Sequence, residues 1–243
     1  MNILYDSLVT YSTLVITYFT CSLLGYNLDK SHILKEYKIK NRTKKEYHEL
    51  YVKLAPRVIK NVCIYSYPLI YGILCINKLF NVTSNEYYDF EYKIFNILNL
   101  AEFLYYYIAT MVITDIVFYT THYLMHTKYL YKYHKIHHEI KQPISISALY
   151  AHPVDLYINN ISPISISLLI LNYNMFTLQI LIAIQISFST LIAHGGYKIV
   201  SENHSTHHTK LLYNYGFQGF KINMDYLLGT QYITPVIEIV DKN

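Results

Sequence analysis

The chain has 243 residues, of which 53% are hydrophobic and 15% charged, and its mean hydropathy is +0.17, a balance that argues against an ordinary soluble domain and for a membrane protein. The net charge of +4 is carried mostly by one stretch between Lys30 and Lys60, not by an amphipathic basic face, so nucleic acid is not expected as a partner.

The first element is an uncharged apolar run over residues 8–26, long enough to span about 30 Å of hydrocarbon. Asp6 is the only charged side chain before it, so the basic region of a cleaved leader is missing and the run is read as an uncleaved span. Asp29 to Lys60 reads as a charged connection. A second apolar run, Asn61 to Ile76, holds Pro68 and Gly72 and predicts a kinked or tilted helix. An acidic loop around Glu86, Asp89 and Glu91 precedes a third apolar segment, residues 94–125. The last block, Val154 to Ala193, is interrupted at Asn172, Tyr173 and Asn174 and predicts a helical hairpin. The expected fold is therefore an all-α integral membrane protein with four to five transmembrane helices. Cys21, Cys63 and Cys75 lie in apolar runs without disulfide or zinc-finger spacing and are expected to be small buried hydrophobes.

Orientation follows from Lys and Arg in short loops. The connection between the first two spans carries ten basic residues, whereas Asn81 to Tyr92 carries none. The first is expected in the cytosol and the second in the lumen, and threading onward brings every histidine motif to the cytosolic side.

Of twelve histidines, only His32 and His48 fall in the N-terminal half, where they read as ordinary polar groups. His122 and His126 are spaced i, i+4 at the end of a long helix, so both rings project from one face, with Asp115 and Tyr119 on the same stripe. His134, His137 and His138 form HxxHH, and His204, His207 and His208 repeat it, again with helix-face spacing. His152 sits before Pro153 on an expected turn, and His194 begins His194-Gly-Gly-Tyr197. Imidazoles in such number beside membrane segments are costly to desolvate unless they ligate something. Imidazole suits Zn, Cu, Fe and Ni, but nine or ten donors exceed one four-ligand site, so two ions fit better, and iron is the member of that set tied to oxygen activation on lipids.

Asp115-Ile-Val-Phe-Tyr119-Thr-Thr-His122-Tyr-Leu-Met-His126, His134-Lys-Ile-His137-His138-Glu139, Ala148-Leu-Tyr150-Ala151-His152-Pro153-Val-Asp155, His194-Gly-Gly-Tyr197, Asn214-Tyr-Gly216 and Asp225-Tyr-Leu-Leu-Gly229-Thr230 together resemble the fatty acid hydroxylase and sterol desaturase superfamily. Within it the pattern is most similar to the methylsterol monooxygenase branch. Departures from that branch are Tyr123, Asp155, Met224 and the short segment between Tyr197 and His204. The resemblance implies an N-terminal transmembrane region (1–114), a catalytic region with three histidine boxes (115–230) and a C-terminal tail (231–243). It implies a di-iron oxygenase acting with O2 on a sterol or other lipid, with His122, His126, His134, His137, His138, His194, His204, His207 and His208 as ligands. Asp115, Tyr119 and His152 would assist, with Asp115, Glu139 and Asp225 as carboxylates that orient the ligands. Electrons would come from NAD(P)H through cytochrome b5 or a reductase, because the chain has no flavin or dinucleotide fingerprint. The expected location is the endoplasmic reticulum. Rival readings are another lipid-oxidising enzyme of the superfamily and, from a different class, a membrane metal carrier, which would place its ionisable groups at mid-membrane.

Overall fold

The computed structural model describes residues 2–80, 97–198, 201–216 and 222–233. The acidic loop with Glu86, Asp89 and Glu91, and residues 234–243 of the tail, lie outside them.

Helix α1 (Ile3–Ser31) starts at Asn2, whose side chain accepts from the Tyr5 N–H, and ends at His32 in the left-handed region. The charged stretch expected as a connection up to Lys60 is instead helical from Lys44, and only residues 32–43 link the first two spans. Helix α2 (Lys44–Lys60) is nucleated by a reciprocal cap in which Thr43 Oγ1 accepts from the Glu46 N–H and Glu46 accepts from the Thr43 N–H. Tyr47, Tyr51, Leu54 and Val58 recur at helical spacing on its buried side, so its Lys and Arg face outward. It runs without a break through a π-helical turn at Asn61–Tyr65 into α3 (Ser66–Leu79). Pro68, where a kinked or tilted helix is expected, lies just after this turn and supplies no N–H to it. Cys21 is buried, but Cys63 on the π turn is exposed and Cys75 half-buried, which corrects the reading of all three as interior residues.

Helix α4 (Ile97–Met125) packs along α5 (Ser162–Leu171), and α1 packs on α3 and on α6 (Met175–Ser187). Asn172 in the left-handed region closes α5, and Asn174 caps α6 by accepting from the Thr177 N–H, so the expected break of the hairpin is local turn chemistry. Further π-helical turns lie at Leu156–Ile161 and Phe188–Ala193. Five helical stretches are long and apolar enough to cross a membrane, namely Ile3–Ser31, Lys44–Leu79, Leu100–Met125, Pro153–Leu171 and Met175–Ala193. Their outer faces expose side chains such as Leu8, Ile16, Leu23, Leu104, Ile108 and Val112, as expected against acyl chains. Among the described residues there is no strand, and the chain is an all-helical membrane protein.

One packed core, around Ile70, Leu74, Leu168, Tyr173 and Leu181, lies between the spans. A second, around Tyr18, Tyr51, Leu54, Val62, Ile144 and Tyr150, supports the end at which the histidines gather. There the connection 32–43 crosses the turn after His194, with Ile39 N–H donating to Gly196 O at 2.9 Å and Lys198 N–H to Tyr37 O at 2.8 Å. Lys38, buried in this crossing, meets Asp29 at 2.5 Å and lies 3.8 Å from the centre of the Tyr197 ring.

Candidate metal centre

Nine imidazoles converge at one end of the bundle and sort into two groups. His122, His126, His134, His138 and His207 form one, and His137, His194, His204 and His208 the other, with the ligand atoms of each group within 4.8 Å of one another. Elementary helix geometry explains the sorting. Residues i and i+4 share a face, whereas sequence neighbours diverge by about 100° and cannot meet one ion. Each His-His pair is accordingly split: His138 and His207 serve the first group, His137 and His208 the second. The third box lies on α7 (Glu202–Lys210), as its spacing predicts. The second box does not lie on one regular α-helix; a short helical turn ends at His134 and a 3-10 turn holds His137–Glu139, with Lys135 and Ile136 between them in the right-handed helical region.

All nine rings meet through Nε2. His134 Nε2 lies 2.9 Å from Nε2 of both His122 and His138, and His126 lies 3.1 Å from His207. In the second group His204 is 2.9 Å from His194 and 3.1 Å from His208, and His194 is 3.5 Å from His137. Five rings present Nδ1 to an acceptor. His122 meets Tyr215 O at 2.7 Å, His134 the Asp155 carboxylate at 2.9 Å, His137 Tyr150 O at 3.3 Å, His194 Ser189 O at 2.8 Å and His207 Tyr213 O at 2.6 Å. An imidazole that donates from Nδ1 keeps its lone pair on Nε2. In the His122–His134 and His137–His194 contacts, where both rings have an Nδ1 acceptor, the lone pairs therefore face each other and repel without a cation between them. Around an ion with bonds of about 2.1 Å, ligands at right angles stand about 3.0 Å apart, so the donor set fits a metal in each group.

Electrostatics points the same way. Burial, reinforced by neighbouring rings, lowers His126 and His194 to about 3, and burial with His134 beside it lowers His137 to about 4. Burial also holds His138, His204, His207 and His208 far below the usual imidazole value. These seven rings are neutral near pH 7, the form that binds metal.

The remaining residues singled out in the sequence surround the groups without joining them. Asp225 accepts from the Tyr215 and Gly216 N–H groups at 2.7 and 2.6 Å, so it holds the loop whose Tyr215 carbonyl orients His122. Asp115 accepts from the Met224 N–H at 2.8 Å, and Tyr119 meets Thr230 at 3.2 Å. Glu139 accepts from the Tyr150 hydroxyl. His152 is drawn into local structure: its Nδ1 caps the turn at Pro153–Asp155 by accepting from the Val154 N–H, and its ring packs on Tyr133. His32 and His48 stay with Tyr47 and Tyr26, away from both groups. Asp155, noticed in the sequence only as a departure, is the carboxylate that touches a clustered ring, and Asn159 donates to its other oxygen at 2.7 Å. A carboxylate followed four residues later by Asn in an apolar stretch is the signal that could have found it.

The family profile described as fatty acid hydroxylase matches residues 107–230. The chain belongs to the fatty acid hydroxylase family. Among its relatives, methylsterol monooxygenase 1 of Rattus norvegicus is 29% identical over 224 residues, covering 87% of this chain and 72% of that protein. Fatty acid hydroxylase domain-containing protein 2 of Homo sapiens is 32% identical over 123 residues, 49% of this chain and 36% of its own length. Very-long-chain aldehyde decarbonylase GL1-11 of Oryza sativa subsp. indica is 30% identical over 133 residues, 49% of each chain. No solved structure matches the chain.

In this fatty acid hydroxylase family member a cavity of about 160 Å³ opens onto both histidine groups. His122, His134, His137, His194 and His204 wall one end, and Thr10, Ile70, Leu168, Leu178 and Ile182 continue it between the spans. All three π-helical turns contribute walls, through Asn61 and Val62, Leu156 and Asn159, and Ser189 and Thr190. Single π-helical turns inside α-helices are frequent at functional sites.

Proposed function

We propose that the chain is a membrane-bound non-haem di-iron oxygenase that oxidises a C–H bond of a lipid, with residues 115–230 as its catalytic region. The observation that carries this reading is the convergence of nine Nε2 atoms in two groups at the mouth of an apolar cavity set among membrane spans. His122, His126, His134, His138 and His207 would hold one iron, and His137, His194, His204 and His208 the other. The pair of ions, when bound, supplies reductive activation of dioxygen. The protein's own part is to keep the rings neutral and aimed, through Asp155 on His134 and the carbonyls on His122, His137, His194 and His207, and to exclude water with the apolar walls. Asp225 acts as a positioning residue for the loop 214–216, and Asp115, which accepts from the Met224 N–H, for the turn that carries Asp225.

Among lipids we favour a methylsterol, because the rat methylsterol monooxygenase matches over most of both chains. Electrons would come from NAD(P)H through cytochrome b5 or a reductase, the basic face of α2 offering a docking surface for an acidic donor. The endoplasmic reticulum with the histidine end in the cytosol suits that supply.

The test is metal analysis of protein purified after iron-replete expression, joined to product analysis with fed sterols, fatty acids and aldehydes. About two irons per chain are expected. Alanine at His137, His138, His207 or His208 should remove metal and activity, and at His32 or His48 neither. One zinc and no iron would end the oxygenase reading.

A further inference from the structure

The C-terminal segment Ile222 to Thr230 returns to the bundle at an unexpected level. It contains helix α8 (Met224–Leu227), and it docks on α4, with the Met224 N–H on Asp115 Oδ2 at 2.8 Å and Thr230 on the Tyr119 hydroxyl at 3.2 Å. Helix α4 has 29 residues. At about 1.5 Å per residue it is about 44 Å long, some 14 Å more than the hydrocarbon core. If all of that excess protruded at the histidine end, the boundary would fall near Ile116, beside Asp115, so the segment docks at the level of the membrane boundary.

The segment is built for such a place. Ile222, Tyr226, Leu227 and Leu228 are 70%, 60%, 64% and 56% exposed, and the one charged side chain between 222 and 232, Asp225, is turned inward and bonded to Tyr215, Gly216 and Thr230. Most of its amides need no water. The N–H of Met224 and those of Tyr226 through Thr230 all donate to protein acceptors. An outer face without charge, over a backbone with most of its donors used, suits hydrocarbon. The helix on which it docks, α4, also exposes apolar side chains at Ile108, Val112 and Ile116.

We propose that Ile222–Leu228 is a re-entrant interfacial element whose outer face lies against the acyl chains of the bilayer. Its inner face carries Asp225, so the loop that orients His122 is clamped between the bundle and the lipid surface, and Gly216 of that loop lines the cavity.

The sequence contains no tryptophan, so a single introduced one reports its own surroundings. Tyr226→Trp and, separately, Leu227→Trp are placed in the full chain reconstituted in phosphatidylcholine vesicles with and without brominated acyl chains. Tyr105→Trp, on the outward face of α4, and Tyr37→Trp, in the connection 32–43, give the lipid and water references. The two α8 probes are expected to emit as far to the blue as the Tyr105 probe, to lose most of their emission to brominated lipid and to resist aqueous acrylamide. Emission and quenching like those of the Tyr37 probe at both positions would overturn the proposal. So would blue-shifted emission that brominated lipid leaves intact, which would mean that a second copy or another protein covers this face.

Discussion

The carboxylate of Asp155 meets His134 Nδ1 at 2.9 Å where both side chains are almost fully buried, so it fixes the ring with Nε2 facing the first group. Asp155→Asn keeps the shape and removes the charge. Metal affinity should fall by about 10-fold or more, as for other residues that orient a ligand, with helicity by circular dichroism unchanged. A metal titration that matches the wild type would remove Asp155 from this role. The lowered values at His126, His137 and His194 set a pH dependence of known sign. In the metal-free chain the unfolded state takes up protons at these rings as pH falls below about 6.5, while the folded state does not until near 3 to 4. Stability is therefore lost progressively below pH 6.5 and is insensitive to these groups above it. Thermal unfolding of apo-protein between pH 7.5 and 5 measures this, and a flat profile would contradict the burial. At this scale the histidines were legible because their spacing repeats, whereas Asp155 was hidden because one carboxylate beside His152 and Pro153 carries no period.

At the scale of elements, α1 crosses the turn Ser145–Leu149 at Gly25, where a Cβ would collide with the side chain of Ser145 and come 3.3 Å from the Tyr51 hydroxyl. Gly25→Ala should cost about 1–3 kcal/mol despite its better helix propensity, because both neighbours belong to the core beneath the histidines. Chemical denaturation in detergent would read this, and a stabilised variant would show that α1 can shift. The spans and the break at Asn172 to Asn174 were readable from apolar length and turn chemistry. Helix α2 was not read, because its charges were counted as a connection while Tyr47, Tyr51, Leu54 and Val58 already spelled out a buried stripe. The second box misled in the opposite direction: HxxHH has helical spacing, yet the chain there is a helical turn followed by a 3-10 turn, with Asp155 on the ring of His134 and Tyr150 O on that of His137.

For the whole molecule, the crossing of residues 37–39 over 196–198 places Asn41 at the same end as Asn203, which lies on α7 between Glu202 and His204. Both stand in Asn-x-Ser/Thr sequons, as does Asn81, which lies outside the described residues. If the histidine end faces the cytosol, neither Asn41 nor Asn203 is glycosylated in microsomes, while a chain lengthened after Asn81 is modified there. A glycan on Asn203 would put the histidines in the lumen, away from cytosolic electron donors. The side of the membrane was read from Lys and Arg counts alone, which report on insertion and not on packing, and so has no counterpart in the contacts of the folded chain.

The division of each His-His pair between the two groups has a thermodynamic consequence. His137 and His138 are joined by one peptide bond, and so are His207 and His208, so an ion that orders one ring of a pair fixes the backbone that presents the other to the neighbouring group. If each group takes up an ion, as proposed, the second would bind to donors whose ordering entropy has already been spent, and uptake would be positively cooperative. Under limiting iron the population should divide into empty and doubly loaded chains, with few carrying a single ion, a distribution that native mass spectrometry resolves directly.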